Sequence, residues 1–373
     1  MKKILFFINT LTEGGAQKVL VTLTNELCKY DYDITVCVLY GGGSNFDNLD
    51  PRIHQIVVFK TNIAKDSLSR TYYKYRGEIL SLLPASFLHM IMIHDKYDIE
   101  IAYLEGISTK IVSGGSKAIK KYAWVHINQL LFDYSKYSYV SFSYETKCYK
   151  RFNNVFCVSN DVKQAFTKKF GVRASVLYNA IDGELIIRKG AEPIDEEIFS
   201  DGKLKFIGIG RLEPQKAFDK LILACAELKR DNLEFELVIL GKGKQNEELQ
   251  RLIKKEKLEN NVKLYGYTSN PYPYMKQADL LVCSSITEGY STAVCESIIL
   301  GTPVLTTNCT GMREIFGDSG CGMIVDNSID GLYCALKEII KEPALLNAMG
   351  NAAKDRSKYF NLDRAIQEYR QIL

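Results

Sequence analysis

Residues 205–230 read KFIGIGRLEPQKAFDKLILACAELKR. Lys205–Ile209 is a short, nearly continuous apolar run. It meets Gly210 and Arg211, passes Pro214, and gives way to Ala217–Arg230, where apolar residues recur at helical spacing. An apolar run without alternation reads as a strand buried on both faces, as in a parallel sheet covered by helices. The same order of strand, loop and helix continues in both directions. Downstream, strands are expected at Glu236–Leu240, Val262–Tyr265, Leu280–Cys283, Pro303–Thr306 and Met323–Val325, with helices at Gln245–Lys257 and Thr292–Leu300. Upstream, strands are expected at Ile4–Ile8, Ile34–Tyr40, Ile56–Phe59, Ile99–Leu104, Ala123–Ile127, Val155–Val158 and Val176–Tyr178, with a helix at Ala16–Lys29.

Between the two series lies a charged segment, 183–202, that carries Pro193 and reads as a linker. At 373 residues the chain is long enough for two or three domains. The predicted class is α/β: two tandem doubly wound, Rossmann-like domains facing across a cleft, over 1–182 and 203–358. Open sheets of this kind bind ligands beyond the carboxyl ends of their strands. Leu362, Ile366, Tyr369 and Leu373 share one helical face, so 359–373 is expected to be a terminal amphipathic helix.

Composition narrows the class. Hydrophobic residues make up 46% and charged residues 25%, which is ordinary globular usage and excludes a disordered or collagen-like chain. The longest nearly apolar stretch, Ile79 to Ile93, is interrupted by Ser81, Pro84, Ser86 and His89 and is too short for a membrane span. Lys2 and Lys3 before Ile4–Ile8 imitate a signal peptide, but no cleavage site follows, so a cytoplasmic chain is expected. The ten cysteines form no Cys-x-x-Cys pair and signal neither zinc nor a disulfide framework. Residues 1–190 hold 25 Lys/Arg against 17 Asp/Glu, a charge of +8 within a chain whose net is +4. A basic first half suits an anionic partner such as a membrane surface or a phosphorylated acceptor.

Three groups of residues could carry chemistry. Gly14 and Gly15 precede the first helix; they form either a tight turn or a place where backbone amides meet an anion. Arg211 and Lys216 follow a strand and open a helix, where a forked and a compact cation could clamp a diphosphate. Glu288-Gly-Tyr-Ser-Thr-Ala-Val-Cys-Glu296 places one carboxylate in a loop and a second about one turn into a helix. The first could accept hydrogen bonds from sugar hydroxyls and the second could reach a ribose diol. His126 ends the strand Ala123–Ile127 and fits either a structural or a catalytic role. Asp31-Tyr-Asp33 imitates a metal motif but precedes a strand and reads as a turn. Gly208-x-Gly210 and Gly241-x-Gly243 both lack the third glycine of a dinucleotide fingerprint.

Gly14-Gly15, Gly210-Arg211-Leu212 with Lys216, and Glu288-x7-Glu296 followed by Gly301-Thr-Pro303-Val together resemble the retaining glycosyltransferases of family four. The hinge-like Tyr178–Asp182 and the stretch Lys263–Tyr267 extend the resemblance over nearly the whole chain. It implies the GT-B fold, with the terminal helix packing back on the N-terminal domain. It also implies transfer of a sugar from a nucleotide-sugar donor, most often a UDP-sugar, to a glycan acceptor, as in bacterial surface-polysaccharide assembly on polyprenyl pyrophosphate carriers. By position, Arg211 and Lys216 would grip the donor diphosphate, Glu296 the ribose, and Glu288 with Gly289, Tyr290, Ser291 and Thr292 the donor sugar and phosphates. Gly266 and Tyr267 would meet the base, His126 the reacting sugar, and Gly14 and Gly15 the acceptor side. The family often has Gly after the clamp lysine; here Ala217 stands there. The implied mechanism is front-face attack. Two cationic side chains would replace a divalent ion, so no metal and no cofactor are expected.

A helix over Ser67–Leu83 would bring Arg70 and Lys74 to one face and an apolar stripe including Ile79 and Leu82 to another. Such a helix could dock peripherally on anionic lipid or hold a lipid-linked pyrophosphate, or it could pack as an ordinary surface helix. The competing functions are a nucleotide-sugar epimerase of the same fold and a non-catalytic assembly subunit. Nucleic acid is not an expected partner, because the basic residues lie in no recognised module.

Overall fold

The computed structural model describes residues 1–41, 43, 45–60, 77–194, 196–200 and 202–373. Two compact units divide the chain. The first holds Met1–Ala180 and Asp363–Leu373, and the second holds Ile181–Leu362.

The first unit is built on seven parallel strands: β1 (Lys2–Ile8), β2 (Tyr32–Tyr40), β3 (His54–Phe59), β4 (Ile99–Ala102), β5 (Lys120–Val125), β6 (Asn154–Cys157) and β7 (Ser175–Val176). Their order is β3-β2-β1-β4-β5-β6-β7. The order reverses between β1 and β4. In the second unit β8 (Leu204–Ile209), β9 (Phe235–Leu240), β10 (Val262–Gly266), β11 (Leu280–Cys283), β12 (Val304–Thr307) and β13 (Gly322–Val325) run in the order β10-β9-β8-β11-β12-β13. Here the reversal falls between β8 and β11. Every expected strand is present, and every pairing is parallel. Ile4–Ile8 are fully buried, as a strand covered on both faces requires.

Helices cover the sheets through one apolar stripe each. Phe218–Arg230 buries Phe218, Leu221, Ile222, Cys225 and Leu228 against β8 and β9, while its polar residues face outward. Ser159 accepts a hydrogen bond from the Val162 amide at the start of Asn160–Phe170, and left-handed Gly171 ends that helix. No helix among the described residues is long and apolar enough to cross a membrane. All ten cysteines are free thiols.

One boundary differs from expectation. Residues 183–202 are not a plain linker. Asp182 accepts from the Leu185 amide and starts a helix, Gly183–Lys189, that packs on the helix Thr292–Leu300 of the second unit. The Asn270 side chain donates to the Lys189 carbonyl and fixes the end of this helix. Composition alone could not show this, because a seven-residue helix carries little periodicity. The terminal helix Leu362–Ile372 belongs to the first unit, which the chain had left at Ala180, as the sequence led us to expect. Tyr369 stacks on Trp124 with ring centroids 5.9 Å apart and donates to the Tyr178 carbonyl at 3.1 Å.

Candidate active site

In the second unit, two loops leave the carboxyl ends of adjacent strands at the point where strand order reverses. The β8 loop carries Arg211 and Lys216; the β11 loop carries Glu288 and leads into Thr292–Leu300. The pairing of β8 with β11 is what brings the two sequence motifs together. The loops are stitched directly. The Gln215 side chain donates to the Thr287 carbonyl at 2.8 Å, the Ile286 amide to the Gln215 carbonyl at 2.8 Å, and the Ser284 hydroxyl to the Lys216 carbonyl at 2.8 Å.

At the centre, Glu288 Oε1 accepts from Lys216 Nζ at 2.6 Å and from Ser285 Oγ at 2.6 Å. Burial alone would lower the Lys216 pKa. The Glu288 charge and hydrogen bond outweigh it, and the net displacement is upward, so the ammonium stays charged. Arg211 is exposed and makes no ion pair among the described residues. Arg211 and Lys216 place two cations at this strand end, of which only Lys216 is paired with Glu288. Thr292–Leu300 adds the unpaired amides of its first turn, since Ser291 places no side-chain cap there. Glu296 is buried on the same helix and accepts from the Tyr272 hydroxyl at 3.1 Å.

The neighbouring strands shape the edge of the site. A Cβ on Gly241 would stand 1.8 Å from the Gly210 carbonyl oxygen, so only glycine lets the end of β9 press against the β8 loop. The Lys216 stem crosses Gly210, where a Cβ would lie 2.9 Å from its Cε. Gly266 has φ 101°, and Tyr267 beyond it is half-exposed with Lys242 Nζ 4.5 Å from its ring centroid. A Cβ on Gly243 would likewise collide with the Leu212 carbonyl, so both glycines of Gly241-x-Gly243 serve close approach to the β8 loop.

The first unit has its own strand-end site. Gly14 is extended, and the helix Gly15–Leu27 begins at Gly15 with no side-chain cap. Beside it, Ser108 Oγ donates to Asn9 Oδ1 at 2.6 Å. His126 follows β5 and is 8% exposed. Its ring is hydrogen-bonded to the Tyr103 backbone, and its buried Nε2 has no partner. Burial pushes its pKa down from 6.5 to about 4, so the imidazole is neutral near pH 7. A neutral ring with one nitrogen unpaired can exchange a hydrogen bond with a hydroxyl.

Glu105 belongs to none of the sequence motifs. This fully buried carboxylate follows β4 and accepts from the His126 amide at 3.1 Å and from the Tyr134 hydroxyl at 2.9 Å. Burial raises its pKa against those hydrogen bonds. Its only sequence signal is a glutamate directly after an apolar strand. Arg70 and Lys74, expected on the acceptor side, lie outside the described residues. Asp31 and Asp33 sit at the amino end of β2, away from the first unit's strand-end site, and Asp33 pairs with Lys3 and His54. Among the described residues, no cluster of three His, Cys, Asp or Glu side chains is placed to hold a metal ion.

Comparison with known proteins gives two adjoining family matches. Residues 13–185 match the model described as Glycosyltransferase Family 4, and residues 191–356 the model described as Glycosyl transferases group 1. Over 192 residues the chain is 38% identical to the N-acetylgalactosamine-N,N'-diacetylbacillosaminyl-diphospho-undecaprenol 4-alpha-N-acetylgalactosaminyltransferase of Campylobacter jejuni, spanning 51% of this chain and 50% of that one. A second Campylobacter jejuni protein, a GalNAc-alpha-(1->4)-GalNAc-alpha-(1->3)-diNAcBac-PP-undecaprenol alpha-1,4-N-acetyl-D-galactosaminyltransferase, is 23% identical over 100% of this chain and 98% of its own. Among solved structures, Anabaena HepE in complex with UDP and glucose superimposes with a TM-score of 0.75 at 18% identity, covering 100% of this chain and 99% of that one.

Proposed function

Since the chain belongs to the family 4 glycosyltransferases and has the GT-B fold, we propose that it moves a sugar from a UDP-sugar to a glycan acceptor carried on a polyprenyl diphosphate. In this reading transfer retains the anomeric configuration and needs no metal.

The carrying observation is the Arg211, Lys216 and Glu288 cluster at the β8/β11 reversal. A departing nucleoside diphosphate gains negative charge as the glycosidic bond breaks. Lys216 and Arg211 stabilise that charge more in the transition state than in the ground state, which is what accelerates a reaction. Glu288 Oε1 is engaged by an ammonium and a hydroxyl, which makes it a poor nucleophile and favours front-face attack over a covalent intermediate. The leaving diphosphate then takes the acceptor proton. Glu296 suits the ribose hydroxyls, and Tyr267 the edge of the base. His126 offers its unpartnered nitrogen to a substrate hydroxyl. The undecaprenol-linked acceptors named for the two Campylobacter relatives support a lipid-linked acceptor, and the UDP complex of HepE supports the nucleotide.

A thermal-shift panel of UDP, GDP, ADP and their common sugars, with and without EDTA, tests this. A ligand at about 100 times its dissociation constant stabilises the native state by about 2.7 kcal/mol. The expected result is a shift with UDP ligands that EDTA leaves intact and Arg211→Ala removes. Well-folded protein that shifts with none of them would refute the transferase reading.

A further inference from the structure

The first unit exposes an apolar face that the proposed chemistry does not use. The helix Ala85–Met92 is apolar nearly all round. Ala85, Leu88 and Met92 are buried, yet Phe87, Met90 and Ile91 point outward, Met90 at 61% exposure. A helix apolar on both sides normally sits inside a protein or a membrane. Ile79 and Leu82, just before it, are exposed as well, rather than packed as an apolar stripe would be.

A second segment continues the face. Tyr137, Val140 and Phe142 are exposed at 74%, 58% and 54%. The two segments are joined. The Tyr144 hydroxyl meets the Ala85 amide at 2.9 Å, and Tyr139 and Cys148 pack on Ala85. Fully buried Lys110 donates to the Leu80 and Ser81 carbonyls at 2.9 and 2.6 Å, with its ammonium 5.6 Å from the Tyr144 ring centroid. The outward residues therefore stand on a braced surface. Contiguous exposed apolar side chains of this kind mark an interaction site.

Charge identifies the occupant. Lys147, Lys150 and Arg151 are exposed and make no ion pair among the described residues. Lys136 is exposed and lies against the Tyr137 ring. The two segments, 77–92 and 130–151, hold three carboxylates. Glu145 is buried on Ser135, Asp133 is paired with Lys169 at 2.7 Å, and Glu78 is the exposed one. Apolar and aromatic residues beside uncompensated cations match a bilayer interface, where the former enter the acyl boundary and the latter meet headgroups.

We propose that the face made by Ala85–Met92 and the segment Tyr137–Arg151 docks the protein on a bilayer carrying anionic lipid. The proposal deepens the reading of a polyprenyl-linked acceptor, but its evidence is the surface itself. Co-sedimentation of the full chain with phosphatidylcholine vesicles, with and without phosphatidylglycerol, tests it. Binding is expected with phosphatidylglycerol and much less without. Lys147→Glu with Lys150→Glu should weaken it by roughly fivefold or more per lysine. Met90→Ser with Ile91→Ser should weaken it by about tenfold or more. These positions are solvent-facing, so unchanged melting temperatures and unchanged transfer to a detergent-soluble acceptor would show that fold and chemistry are intact. Equal sedimentation of wild type and variants, or none of either, would overturn the docking while leaving the transferase reading untouched. A concentration-dependent dimer lost in the Met90 and Ile91 variant would assign the face to a second copy and likewise overturn it.

Discussion

Lys216 Nζ stands 2.6 Å from Glu288 Oε1, although the two residues are 72 positions apart in the chain. One is the sequence-predicted phosphate clamp and the other the sequence-predicted sugar ligand, and the fold makes them a single unit. Lys216→Met leaves a largely buried carboxylate without its ammonium and should lower stability. Both side chains keep some exposure, 18% and 11%, so the loss should fall short of the roughly 3–5 kcal/mol of a fully buried pair. Denaturation of Lys216→Met, Glu288→Met and the double variant measures this. The double variant should be more stable than the sum of the singles predicts. Strict additivity would show that the pair is not coupled.

Arg211→Ala should behave oppositely. The side chain is exposed and unpaired among the described residues, so the ligand-free melting temperature should stay within experimental error. Turnover should fall by roughly 10²–10³, as when one electrostatic stabiliser of a transition state is removed. Loss of stability with full turnover would place Arg211 in the scaffold instead.

His126 should make stability depend on pH. Its folded pKa, about 4, lies below the ordinary 6.5, so between those values the unfolded chain binds more protons. The contribution is fully present above pH 6.5 and is lost as pH falls toward 4. Two and a half pKa units correspond to about 3 kcal/mol. The melting temperature of His126→Gln should change less than that of the wild type over this window. Parallel curves would mean that folding leaves the His126 pKa unshifted.

Ala217 has φ 47° and ψ 43°, the left-handed region, at the N-cap of Phe218–Arg230. A glycine after Lys216 would adopt this conformation without a Cβ penalty. The strain of an L-residue there is about 1–2 kcal/mol, and glycine would add roughly 0.4–1 kcal/mol of unfolded-state entropy. Ala217→Gly should therefore stabilise the protein by up to about 1 kcal/mol. An unchanged or lower denaturation midpoint would show that the loop holds Ala217 without strain.

The strands were legible in the sequence because a fully buried parallel strand must be a short apolar run, and that signature is local. The helix Thr292–Leu300, with Glu296 on it, was legible for the same reason. Glu105 was not: a single glutamate carries no period, and its partners His126 and Tyr134 come from elsewhere in the chain. The helix Gly183–Lys189 was hidden by the same charged composition that made its segment look like a linker.

By itself, then, the sequence determined the two parallel sheets, their boundaries to within a few residues, and the residue types of the Arg211, Lys216 and Glu288 cluster. Each of these depends on the burial of neighbours along the chain. Only the tertiary structure decided that β8 lies beside β11, that Lys216 neutralises Glu288, that Glu105 holds the His126 amide, and that Phe87, Met90 and Ile91 face outward. Those facts follow from strand order and helix orientation, which pair residues far apart in sequence and leave no periodic trace in it.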